Sequence, residues 1–214
     1  MKSAFQLISW VFLPLFMPMY ALLLVMNVPS NQDYLFNQDC MYLLPDEAKN
    51  AILYMFLIFC VVAPGISFIM LQRRKIIATI EMDTGKERTI PILLMFLYCL
   101  MLYVLFVVKS GEVILPKFVY ALPLSGAIVT AVFFFLNRWK KISIHGAGAG
   151  ILVGFILAYI LQHEVYQLWV FALTLIISGL IMSARLYLQK HTFFELVFGW
   201  LIGLIVTFLV NYFY

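Results

Sequence analysis

Charge is scarce in this chain. Asp, Glu, Lys and Arg make up 11% of its 214 residues, against about 25% in soluble globular domains, which excludes an ordinary water-soluble fold. Cysteine is equally sparse. Cys40, Cys60 and Cys99 are odd in number and show no CxxC spacing, arguing against both a disulfide framework and a zinc site; Cys60 and Cys99 are expected to be side chains at lipid depth. No Lys/Arg block is interleaved with stacking aromatics, and the formal net charge is only +4, so nucleic acid is excluded as a partner. No repeat of 20–50 residues and no low-complexity tract is visible. No cofactor is implied.

What is abundant is hydrocarbon. Hydrophobic residues reach 65% and mean hydropathy is +1.03, the composition of a polytopic membrane protein. Crossing a hydrocarbon layer of ~30 Å takes about 20 apolar residues. That length divides the chain into seven spans, near 5–26, 50–71, 91–108, 118–137, 146–162, 166–184 and 194–212, with six as the lower count. The expected fold is therefore all-α, a transmembrane helix bundle forming a single integral membrane domain over 1–214. No small-residue cleavage site closes the first span, so it is read as a retained helix and not as a signal peptide.

Seven crossings place the N-terminus and loops 72–90, 138–145 and 185–193 on one side. Lys2, Arg73, Arg74, Lys75, Lys86, Arg88, Arg138, Lys140, Lys141, Arg185 and Lys190 lie there, eleven of the fourteen Lys/Arg. Lys49, Lys109 and Lys117 lie on the other. By the positive-inside rule the first side is cytoplasmic.

Two stretches at the edge of that side interrupt the apolar sequence. Charge near a bilayer is costly enough to need a reason. In SARLYLQKHTFFELVFG, Ser183 to Gly199, His191 and Glu195 are four apart, so on a helix they share a face and the carboxylate can hold one ring nitrogen. Arg185 lies six residues earlier, where its planar fork could face a phosphate beside the histidine. In KKISIHGAGAGILVG, Lys140 to Gly154, Ser143 and His145 precede a helix opening on Gly146, Ala147, Gly148, Ala149 and Gly150. A helix N-terminus with small residues can cradle an anion. Gly146, Gly150 and Gly154, spaced at four, equally suit a helix-packing seam, and the two readings are compatible. Arg185 and Lys190 have a simpler reading as interfacial anchors, Glu195 as a helix cap, and His163-Glu164 as a tight turn.

Together these residues resemble a divergent, bacterial-type member of the type 2 phosphatidic acid phosphatase (PAP2) superfamily, whose patterns are KxxxxxxRP, PSGH and SRxxxxxHxxxD. Arg185 and His191 keep the Arg-x5-His spacing, and Glu195 stands where the family has Asp. Ser143-Ile144-His145 is similar to the SGH of the second pattern. KERTIP, Lys86 to Pro91, is the best match to the first, with Lys140 and Lys141 as rivals. The resemblance covers about residues 86–205, a PAP2-like core. It implies metal-independent hydrolysis of a lipid or isoprenoid phosphate through a phosphohistidine, with His191 as nucleophile, Glu195 orienting it and His145 as acid and base. Arg185, Ser143, Gly146, Arg88, Lys86 and Lys141 would bind phosphate. Ala184 replaces the motif serine. A non-catalytic PAP2-like binding or accessory subunit is the alternative, and membrane-protein partners or a homo-oligomer are left open. A small transporter fits less well, because no span carries a charge at mid-depth and no inverted repeat is visible.

Overall fold

The computed structural model of the protein describes residues 2–30, 39–79, 82, 85–109, 111, 115–163 and 167–214, and the Lys86 side chain lies outside that description. Among the described residues the chain is all-helical, with seven stretches long and apolar enough to cross a membrane. The first is α1 (Lys2–Val11) continued by α2 (Met17–Asn27), and the second is α3 (Asp46–Phe56) continued by α4 (Ala63–Arg73). Five unbroken helices follow: α5 (Gly85–Lys109), α6 (Lys117–Leu136), α7 (Ile144–Gln162), α8 (Leu168–Tyr187) and α9 (Phe193–Phe213).

Two of the expected spans are thus not single regular helices, and proline accounts for both. Leu13 is extended, with φ −61° and ψ 144°, ahead of Pro14, because a proline ring crowds the preceding residue out of the helical region. In the second span, residues Leu57–Val62 form a π-helical turn. Pro64, just beyond it, has no N–H to donate and its ring collides with the carbonyl four residues back, that of Cys60, so the turn widens.

The α7 helix is the hub, with 67% of its apolar window buried and its most extensive contact against α9. Glycine permits that contact. The carbonyl oxygens of Leu196, Trp200 and Leu204 occupy the space that a Cβ on Gly146, Gly150 or Gly154 would need, and Gly199 and Gly203 receive the Ser143 and Ala147 carbonyls in return. Two backbones therefore touch directly, the small-residue packing that drives helix association in lipid. The Ser143 N–H donates across the seam to the Glu195 carbonyl at 3.2 Å. On the opposite face of α7, Gly148 packs against Pro14 and Met17, so the break in the first span is seated on the hub.

The far end of the bundle is closed by its own polar cluster. His163 is buried, stacks on Tyr159 at 3.9 Å and shares a 2.8 Å hydrogen bond with the Tyr159 carbonyl. Tyr159 Oη lies 3.4 Å from Ser30 Oγ and accepts from the Met41 N–H, tying the segment after α2 to α7. His163 is thus a packing residue, while Glu164, its partner in the expected turn, lies outside the described residues.

Candidate functional site

The Arg185–Glu195 stretch is shaped by how one helix ends and the next begins. At the end of α8 the Lys190 N–H donates to the Arg185 carbonyl and the Gln189 N–H to the Leu186 carbonyl. That pair of bonds is a Schellman turn, with Gln189 in the left-handed region at φ 53°. Thr192 then caps α9. Its Oγ1 accepts from the Glu195 N–H at 3.3 Å, and Glu195 Oε2 accepts from the Thr192 N–H at 3.3 Å, a reciprocal capping box.

His191 falls between these devices, ahead of the α9 cap and not on the helix as the four-residue spacing suggests. Its Nδ1 nevertheless meets Glu195 Oε2 at 2.9 Å. One carboxylate oxygen thus caps the helix and holds the imidazole. A carboxylate only accepts, so Nδ1 carries the proton and the lone pair is left on Nε2. The ring is pushed down to about 4. Burial is the main cause; Glu195 opposes it, and the positive charges of Arg88, Arg185 and Lys141 add to it. The negative partner alone would make His191 more basic, but desolvation and three cations win. His191 is neutral at neutral pH.

That shift has a consequence for stability. The ordinary value is about 6.5, so below it an unfolded chain takes up a proton that folded His191 resists until about pH 4. Stability is unaffected above about pH 6.5 and falls as pH drops from there towards about 4. Thermal unfolding of the purified protein between those limits should show a falling midpoint, with a shallower slope in His191→Asn.

His145 stands in the first turn of α7. Its Nε2 is shut off from solvent without a hydrogen-bond partner among the described residues, an arrangement that asks for a ligand. The Ser9 backbone lies in hydrogen-bonding reach of the ring, while Ser9 Oγ accepts from Arg185 Nη1 at 2.9 Å. Arg88 is 3% exposed. Its Nε donates to the Met82 carbonyl at 2.7 Å and its Nη1 to the Ile142 carbonyl at 3.0 Å, which fixes the guanidinium beside the loop leading into α7.

His145, His191, Arg185 and Arg88 line one cavity of about 190 Å3. Residues more than 40 positions apart, from the resemblance's second and third patterns, therefore meet. The other expected site residues are placed differently. Lys141 and Glu195 border a separate, shallow cleft on the outer side of His191, where Lys141 Nζ donates to the Lys190 carbonyl at 3.3 Å. Ser143 is the α7 N-cap, accepting from the Gly146 N–H at 3.2 Å. Gly146 is spent on the α9 seam, and neither residue is on the cavity wall. For this stretch the packing reading of the glycines is the one observed. Cys60 and Cys99, within the second and third spans, are buried on the cavity wall.

Ser9 is the site residue that sequence reasoning missed. With Gln6 it interrupts an otherwise apolar run, a faint signal, because nothing in the spacing ties the first span to residue 185. No protein-family model matches the chain, and neither does a curated protein or a solved structure.

Proposed function

We propose that the protein is a membrane-embedded, metal-independent lipid phosphatase of the PAP2 kind, acting through a phosphohistidine. The observation that carries the reading is the convergence of a neutral His191, oriented by Glu195, with His145, Arg185 and Arg88 on one buried cavity. Nε2 of His191 has the lone pair to attack phosphorus, forming the P–N bond as the ester P–O bond breaks. His145, taking up a proton as the negatively charged phosphate arrives beside it, gives that proton to the leaving oxygen, then takes one from the water that displaces phosphate from His191. The two guanidinium groups stabilise charge on the equatorial oxygens. A fixed imidazole is what this chemistry needs, since misplacement by about 1 Å can cost about 100-fold.

The second reading is a non-catalytic phosphate-binding subunit. It is favoured by Arg88, whose Nε and Nη1 are given to backbone carbonyls, and by Ala184, which is fully buried where the motif has serine. Malachite-green phosphate release from a panel of lipid phosphates, with and without chelator, separates the two. The expected result is release that chelator does not suppress. No release from any member, together with phosphate-dependent thermal stabilisation that Arg185→Ala removes, would establish the binding subunit.

The site belongs on the cytoplasmic edge of a bacterial inner membrane in this proposal, on the strength of the eleven-to-three distribution of Lys/Arg. A single cysteine at position 190, in a background without the three native thiols, should resist an impermeant maleimide in intact cells and react after lysis. Labelling of intact cells would invert the topology.

A further inference from the structure

The cavity continues well past its polar end. On α5 its lining residues Arg88, Ile92, Met95 and Cys99 recur at spacings of four, three and four, one face of a helix. Eleven residues at about 1.5 Å each carry the wall about 16 Å beyond Arg88, half the depth of a ~30 Å hydrocarbon layer. Beyond the guanidinium and imidazole groups the lining is almost entirely apolar. At the deep end Gly126 of α6 meets α5, where an added Cβ would stand 3.1 Å from Cys99 Sγ.

The backbone irregularities are grouped around this space. Pro14 of the broken first span, Cys60 of the π-helical turn and Pro91 inside α5 all lie on its wall. Regular helices close on one another at 8–10 Å, and departures from regularity keep neighbours from doing so. An apolar cavity is poor in partners for water and takes hydrocarbon.

We infer that this cavity is a measuring slot for one hydrocarbon chain, held inside the bundle with its phosphate at His191 and with Cys99 and Gly126 as the floor. The inference rests on the phosphate-site reading above. A wall about 16 Å long around a cavity of about 190 Å3 suits one extended chain, whose carbons sit about 4 Å from the atoms around them. With C–C bonds of about 1.5 Å in a zigzag, about a dozen carbons reach the floor. Chain length, and not headgroup alone, then selects the substrate.

The test uses the full-length protein in nanodiscs of neutral lipid. Alkyl monophosphates from hexyl to hexadecyl, a diacyl phosphate and inorganic phosphate are compared for thermal stabilisation and for phosphate release. Both should peak near dodecyl, with the diacyl and inorganic phosphates weak. Gly126→Leu should move the optimum to shorter chains and lower dodecyl phosphate binding by about tenfold, since excluding two CH2 groups forfeits about 0.8 kcal/mol each. Met95→Ala should move it to longer chains, and this variant tests the slot even if Gly126→Leu fails to fold. Equal stabilisation by all chain lengths, by the diacyl phosphate or by inorganic phosphate would overturn the slot. Chain-length-dependent stabilisation without phosphate release would uphold it and overturn the hydrolase reading. Release indifferent to chain length and to both variants would do the reverse.

Discussion

His191→Asn is expected to abolish phosphate release, by about four orders of magnitude or more, because removing a nucleophile removes the covalent route and leaves only binding and electrostatic effects. Asparagine keeps a donor for Glu195 Oε2, so the capping arrangement at α9 should survive and unfolding should change little. Labelling with a radioactive lipid phosphate and quenching in alkali should trap a phosphohistidine in the native chain and none in the variant. A native-like rate in His191→Asn would remove His191 from the chemistry. Glu195 then tests the orientation. Glu195→Gln keeps an acceptor for the imidazole and the Thr192 N–H but loses the charge, and should lower turnover by about tenfold or more with lipid affinity nearly intact. Aspartate, which the PAP2 pattern has at the place that Glu195 resembles, looks harmless from the motif alone. Its shorter side chain must give up the bond to Nδ1, the bond to the Thr192 N–H, or both, so Glu195→Asp should also lower any phosphate release below that of the native chain.

The other large effect lies far from any chemistry. Gly150→Leu should abolish the folded protein, or lower its stability by about 3 kcal/mol or more, since the first added carbon already collides with the Trp200 carbonyl and lies 2.8 Å from the Leu204 N–H nitrogen. Overpacking commonly costs about 1–3 kcal/mol where side chains can yield, and here the obstacle is backbone. Gly179 on α8 has nothing within 4 Å of its virtual Cβ, so Gly179→Ala is the control and should be neutral or stabilising by up to about 1 kcal/mol. Size-exclusion profiles and unfolding midpoints in detergent measure both. Comparable losses in the two variants would mean that the close α7–α9 seam is not what makes Gly150 irreplaceable.

The seven spans were legible because length and hydropathy decide whether a helix crosses a bilayer, and the structure places them within a few residues of the expected limits. Arg185, His191 and His145 were legible for a related reason, as polar groups at a membrane edge that needed an explanation. What stayed hidden depended on partners far along the chain or on local backbone choices. Pro64 could have announced the wide turn at 57–62, but a proline in a membrane helix can equally give a kink. Ser9 owes its role to Arg185, 176 residues away. The double duty of Glu195 was visible only as two alternatives, cap or orienting partner, and one oxygen does both.

The glycine seam has a meaning for how the molecule can change. His145 stands in the first turn of α7 and His191 just ahead of α9, the two helices whose backbones are locked together, and the Ser143–Glu195 bond joins those ends. The rest of the cavity wall comes largely from the first four spans, the first two of them irregular at a proline. One half of the protein is a vice with a fixed jaw spacing, and the other is its replaceable lining. Under the proposed function, substitutions in that lining away from Ser9 and Arg88 would retune which amphiphile is gripped while the α7–α9 seam keeps its spacing.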